Sequence, residues 1–505
     1  MSVTSVPTVR LEVDGGTLEG AALRGLSEVC VRQRLSMPTQ CELTFERSPG
    51  APELGGGMTP GARLRVRVAG RDIPLFEGDV TALEHTYGPG GQVTVRVRGY
   101  DRLHRLRKRS PVRVHVDVTP LSLAQELAGS VGLDVAATEA GPRLARLMQH
   151  DRNDLALLAE FAARAGLYLC VREGTLHLLT LAGMEEPIPL VWGQTLLEAV
   201  IEVNTDMATH TVEVAGWNPP AVEAHEGRAD RSRNGQPGGM VVAPAQVGGD
   251  GYGRRMGAVV ADNRHAEALA QADLERRRAY DVTLWGVAEG DTRLRPGARV
   301  TLSGVAPAVA ERFVLTEVTH RLGEHGFVSE LSSLPPVPPM PALPHEVAAL
   351  GEVVQVNDPQ EVGRVRVRLP GYQGLESAWL PVLLPGASAA KGLVVLPDVG
   401  DRVLVLLPGG DPSEGVVLGC LAGARGLHDS GVDGNAVRRY TLRTPGGQQV
   451  QLDDGGMRVR LENADGSFVE LTPTQLLIHA ARDLTLEAPG KQVKIRGRAI
   501  DFERA

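Results

Sequence analysis

His428, Asp429 and Ser430 stand side by side in this 505-residue chain and hold the group types of a base, an orienting acid and a nucleophile. A hydrolytic triad needs those groups to converge from separate rigid elements, which three adjacent residues do not provide. They read as a linker turn. His345 and Glu346 begin the pattern of a helical zinc site, but no second histidine follows one helical turn later. The stretch from Gly249 to Gly253 could cradle a phosphate, yet no strand precedes it and Arg254 and Arg255 replace the helix start. It reads as a mobile loop. Residues 101–113 form the strongest basic run, without interleaved aromatics and in a chain of net charge -8. A solvated face or an inter-subunit contact fits them better than nucleic acid. Cys30, Cys41, Cys170 and Cys420 are scattered with no CxxC pair, as expected of buried free thiols in a reducing compartment. Carboxylate pairs for glycoside cleavage occur by spacing, but none lies in a cleft-forming motif. The expectation is a protein with no catalytic residues, no cofactor and no metal, and therefore no enzyme.

The elements that would position these groups are short and mostly β. With 60 Gly, 34 Pro and 4% aromatics, the chain favours turns and strands over long helices, and its length predicts three or four domains. The first residues lack the basic start and apolar core of a signal peptide, and no apolar run approaches the ~20 residues that span a bilayer. Synthesis in the cytoplasm is expected. Residues 63–68 and 93–98 alternate strictly within a strand-rich region, 9–100. Helical spacing follows at 122–128 and at 154–165, the latter with Asn153 or Asp154 as cap and Gly166 as stop. Strands at 167–171 and 175–179 should join through Glu173 and Gly174. Residues 223–253 are polar and without period, and read as a long surface loop. A helix at 265–280 and strands at 281–286 and 298–302 come next. Consecutive prolines at 334–344 mark the clearest boundary.

Beyond that boundary, strands at 352–356, 363–369, 378–382, 392–396, 402–407 and 416–418 fit a small closed barrel such as the OB fold. From 438 to 505 the sequence becomes a ladder. Apolar pairs recur at Val450/Leu452, Val459/Leu461, Val469/Leu471, Leu484/Leu486, Val493/Ile495 and Ile500/Phe502, with turn residues between. Members of a pair share a strand face, and the spacing is that of a β-helix. Two buried aliphatics per strand stabilise by only ~3–6 kcal/mol gross. Ordering each residue costs ~1–2 kcal/mol, so so thin a column needs further copies to close its core.

The barrel segment resembles the OB domain of VgrG and phage tail-spike proteins. The motifs are Gly351-Glu-Val-Val-Gln-Val-Asn-Asp-Pro359, Gly363-Arg-Val-Arg-Val-Arg-Leu-Pro370, Ser377-Ala-Trp-Leu380, Leu396-Pro-Asp-Val-Gly-Asp-Arg-Val403, Gly410-Asp-Pro412 and Val417-Leu-Gly419. The region before the linker resembles the hub half of the same family, the phage late control D type. It does so through Gly99-Tyr-Asp-Arg-Leu103, Gln149-His-Asp-Arg-Asn-Asp-Leu155 with Phe161 and Gly166, Leu294-Arg-Pro-Gly297 and Val318-Thr-His320.

The resemblance implies a mainly β fold. Two hub β-barrels with inserted helices would occupy 1–333, a Pro-rich linker 334–350, an OB-fold neck 351–422, a linker 423–437 and a trimeric, triple-stranded β-helix 438–505. It implies a structural hub-and-spike protein at the tip of a contractile injection system tube. The implied homotrimer would bind tube and baseplate components, accompany effectors, and meet a target membrane only on firing. It would be assembled into an injection particle and delivered outward, with no nucleic acid bound. Val450, Leu452, Val459, Leu461, Val469, Leu471, Leu484, Leu486, Val493 and Ile495 would form the needle core. Strand layers ~4.8 Å apart give a needle on the order of 35 Å. Ile500 and Phe502, without a His-x-His metal pattern, would contact a PAAR-type tip protein. The rival expectations are a spike-associated cell-wall hydrolase and a glycan-binding adhesin; the OB binding face lacks obvious stacking aromatics beyond Tyr372 and Trp379, which favours a structural neck.

Overall fold

The computed structural model describes residues 8–19, 23, 25–47, 58–150, 152–206, 208–219, 221, 223–233, 243–310, 312–324, 326–337, 347–388, 391–422 and 426–503. It divides into two compact units, Met1–Leu421 and Ala422–Ala505.

In the first unit, strict alternation becomes one buried face. Arg63–Val68 turns Leu64, Val66 and Val68 inward and its arginines outward. Eleven strands share one sheet, ordered Leu196–Val203, Val282–Glu289, Gly326–Ser332, Glu317–Gly323, Leu26–Arg34, Gln40–Arg47, Val93–Tyr100, Phe76–Tyr87, Arg63–Val68, Val9–Val13 and Gly16–Thr17. Its seam is the antiparallel pairing of Glu317–Gly323 with Leu26–Arg34. On one side of the seam the core holds Leu43, Phe45, Val95 and Val97; on the other it holds Leu284, Leu302, Phe313 and Leu331. The two expected hub β-units are thus fused through one sheet, each with its own core.

The inserted helices form where caps and apolar spacing agree. Helix α1 (Pro120–Gly129) starts in a capping box of Thr119 and Ser122. Helix α2 (Asp154–Arg164) is capped by Asn153, whose Oδ1 accepts from Ala156 N at 2.9 Å. Gly166 follows it at φ 73°. The strands Tyr168–Arg172 and Thr175–Leu179 form the expected hairpin, with Glu173 and Gly174 both at positive φ. Leu155, Leu158, Ala162 and Phe161 pack with α1 and this hairpin in a third core.

Residues 223–253 are not a single loop. Glu223–Ala229 is a strand antiparallel to Thr211–Asn218, and Tyr252–Val259 pairs parallel on the other side. The sheet packs on α3 (Asn263–Arg278), which encloses Val212, Val214, Ala266, Leu269 and Leu274. The strand carries no apolar period because its inward residues are small. A Cβ at Gly227 would lie 2.1 Å from Glu267 N and 2.2 Å from Ala266 C, so the helix backbone occupies the space a side chain would need.

The barrel after the linker is closed. Its sheet runs Leu375–Glu376, Arg366–Leu369, Val347–Gln355, Arg402–Leu407 and Val416–Cys420. The segment at 380–383 joins the two edges, through Leu380 to Val365 and through Leu383 and Pro381 to Val417. Val353, Val365, Val367, Leu369, Leu380, Val403, Val405, Leu407 and Val417 fill it, all fully buried. The strand expected at 392–396 is absent. The ribbon Ala387–Ser388 with Lys391–Gly392 turns the chain first, leaving Leu393, Val394 and Val395 exposed. The first barrel strand begins at Val347, inside the span expected to be linker.

In the second unit, Arg439–Arg443, Gln449–Asp453, Arg458–Glu462, Phe468–Leu471 and Leu476–His479 form an antiparallel sheet in chain order. The sequence reading missed the first and last of these as apolar pairs. The strands expected around Leu484, Val493 and Ile500 do not form: residues 480–503 contain none.

Candidate functional site: the apolar face of the tail sheet

The register places every alternate tail residue on one face. One row across the sheet is Tyr440, Leu452, Val459, Leu471 and Leu476; the other is Leu442, Val450, Leu461, Val469 and Ile478. All ten are apolar or aromatic, yet in the single chain they face water. Leu461 is 55% exposed and Tyr440 63%. Of the needle-core residues read from the sequence, Val450, Leu452, Val459, Leu461, Val469 and Leu471 lie together on this face. Leu484, Leu486, Val493 and Ile495 lie outside any strand and are exposed, as are Ile500 and Phe502, the latter at 90%. Tyr440, Leu442, Leu476 and Ile478 were missed. The alternation at 439–443 signalled the first pair, whereas three consecutive aliphatics at 476–478 hid the phase of the second.

The opposite face is polar and carries a network of ion pairs. Arg460 bonds Glu462 at 3.0 Å and Glu470 at 2.9 Å, and lies 3.8 Å over the Phe468 ring. His479 stacks on Phe468, and Gln449 donates to Glu462 at 2.9 Å. The sheet is therefore turned inside out for a free chain, with its charges partnered and its apolar side bare.

Asp429 anchors the sheet's first strand. Its carboxylate accepts from Arg439 Nε at 3.0 Å and Nη2 at 2.8 Å and from Gly431 N at 2.9 Å, and these bonds hold it far below the ordinary carboxylate range. Its partner is an arginine rather than His428, whose Nε2 faces Arg443. Ser430 Oγ accepts from Val432 N. The three residues form a turn and do not converge as a triad.

The other singled-out groups are structural too. Arg105 makes a two-pronged bond to buried Asp79, which also meets His104 Nε2 at 3.1 Å. Arg107 lies 4.7 Å over Tyr100, and Arg113 reaches Gln149 and Asp154. Arg102, Arg105 and Arg113 are half-buried and bonded within the fold, while Arg107, Lys108 and Arg109 are exposed. Asp250 accepts from Tyr252 N and Arg254, in a loop leading into a strand, not a helix. His345 and Glu346 lie outside the described residues. Tyr372 packs edge-on against His150 of the hub, 5.1 Å between ring centres. Cys30, Cys41 and Cys170 are buried free thiols, while Cys420, last residue of a barrel edge strand, is exposed. Among the described residues no cluster of three or more His, Cys, Asp or Glu could hold a metal ion. No helix among them is long and apolar enough to cross a membrane.

Residues 32–326 match the family model of the phage tail baseplate hub (GPD), and residues 349–421 that of the type VI secretion system/phage-baseplate injector OB domain. In fold the chain is similar to the E. coli c3393 protein, a component of the type VI secretion system with structural similarity to the T4 bacteriophage tail proteins gp27 and gp5. The TM-score is 0.53 at 14% identity, covering 81% of this chain and 99% of that one. It is similar also to a chain of the lidded Francisella PdpA-VgrG complex, with TM-score 0.56 at 9% identity, covering 95% and 81%. No curated sequence matches significantly.

Proposed function

Because this chain belongs to the phage tail baseplate hub family, we propose that it is the trimeric hub and spike of a contractile injection machine. The observation that carries the reading is the bare apolar face of the tail sheet. Tyr440, Leu442, Val450, Leu452, Val459, Leu461, Leu471, Leu476 and Ile478 are each between 37% and 63% exposed in one chain. Fully burying such a side chain contributes ~1.5–3 kcal/mol, so covering the exposed half of nine of them contributes on the order of 10 kcal/mol per chain. Three copies closing their sheets into a triangular prism cover one such face each and leave the arginine–glutamate faces in water. The exposed segment at 480–503 then gains strand partners from the other copies.

In this reading the eleven-stranded hub joins tube and baseplate, and the OB barrel forms the neck. The tail is the needle, and a PAAR-type tip protein covers Ile500 and Phe502. The work is mechanical rather than enzymatic: contraction of the particle drives the narrow needle into a target envelope. Effector proteins travel with it. The test is electron microscopy of assembled particles carrying the full chain or a chain ending at residue 437. The reading expects needle density below the hub only with the full chain. Identical density in both refutes the assignment of the tail.

A further inference from the structure

The barrel after the linker has a filled core, yet one run of its chain is covered on neither side. Leu393, Val394, Val395 and Leu396 are between 36% and 66% exposed. Among the described residues none of the four makes a backbone hydrogen bond. Four consecutive aliphatics without alternation are the pattern of a strand buried on both faces. Here the run leaves the ribbon of Ala387–Ser388 with Lys391–Gly392 and joins no ladder. Leu396 lies over Gly363, its Cδ1 3.7 Å from where a Cβ would stand. Val362, next to Gly363, and Val399, three positions after Leu396, are exposed as well and extend the apolar surface.

The place of the run in the chain points to what covers it. The turn that follows returns to the barrel, where Gly400 N donates to Val353 O at 2.9 Å; Arg402 O then accepts from Leu421 N at 2.7 Å. Leu421 is exposed and is the last residue of the first unit. Asp429, which anchors the first tail strand, stands only eight positions later. Three tails closed on one axis therefore tether three barrels by their exits, at an effective concentration that makes a weak contact productive. Between Lys391 and Asp398 the run carries no charge, so three copies meet there without repulsion. A few partly covered aliphatics cannot by themselves offset the motion lost on association. The contact thus forms behind the tail rather than in place of it.

We propose that the run 393–396 of each copy packs as a strand against the barrel of the next copy, a second contact between chains that the tail makes possible. The inference rests on the trimeric reading of the tail. The test is amide hydrogen exchange of the 393–396 segment in the full chain, set against a free peptide of the same sequence. In the wild-type trimer the segment should exchange at least about tenfold more slowly than the peptide. In a Leu461→Asp chain, where a charge on the apolar tail face blocks association, it should exchange as the peptide does. Val394→Asp should leave the unfolding midpoint of the Leu461→Asp chain unchanged. In the otherwise wild-type chain it should raise about tenfold the concentration at which the trimer half-dissociates. A wild-type trimer whose segment exchanges at the peptide rate overturns the contact and leaves the trimer standing, as does a Val394→Asp trimer that dissociates at wild-type concentrations. A wild-type chain that is monomeric at every concentration overturns both.

Discussion

Replacing Leu461 by Asp separates the demands of the single chain from those of the assembly. Leu461 sits on the third of five tail strands, opposite Val450 and Val469, and is 55% exposed. In one chain an aspartate there stays in water, costing on the order of 1 kcal/mol through lost packing and poorer strand preference. In a closed prism each copy loses about 1 kcal/mol of further apolar burial. Each also carries a carboxylate into an apolar interior, at several kcal/mol per ion. Three copies bring the penalty to on the order of 10–20 kcal/mol, against a gross gain of roughly 30 kcal/mol for three tail faces before ordering costs. Association through the tail should therefore fail. Sedimentation of the full chain reads the result, with Leu461→Asp expected at 53.7 kDa. Gln451→Glu, on the polar face where Arg458 donates to it, should keep the wild-type mass. A Leu461→Asp protein still running at about three times 53.7 kDa refutes the reasoning.

Gly227→Ala should destabilise the first unit by on the order of 1–3 kcal/mol, because its Cβ meets the α3 backbone rather than a movable side chain. A denaturant midpoint unchanged from wild type would contradict that contact. His320 is fully buried, with Nδ1 2.8 Å from Ser329 Oγ, and burial lowers its pKa to about 4. The unfolded chain binds that proton first, so the contribution is complete above pH ~6.5 and lost as pH falls towards ~4, by up to ~3 kcal/mol. His320→Gln should flatten this part of the stability–pH profile, and an unchanged slope between pH ~4 and ~6.5 would argue against it. Asp429→Ala should expose the start of the tail sheet to limited proteolysis by freeing Arg439, while Ser430→Ala should leave digestion unchanged. Equal digestion of both variants would remove Asp429 as an anchor.

Sequence patterns were readable wherever one face of an element is buried by large side chains. Helix α2, with Asn153 before it and Gly166 after, and the arginine–valine alternation at 63–68 are such cases. The tail sheet was readable because its alternation sets ten large apolar or aromatic side chains on one face. Legibility failed where burial uses small residues, as at Gly227 and Ala229 beneath α3. It failed again where an aliphatic run is not buried at all, as at 393–395. Beyond His479 the period of two persists in sequence, but residues 480–503 form no strand.

The most direct test is the mass of the purified full-length wild-type chain in solution, measured by light scattering across a range of concentrations. The account predicts one species at about three times 53.7 kDa. A monomer at every concentration, or a dimer closed face to face, would contradict it.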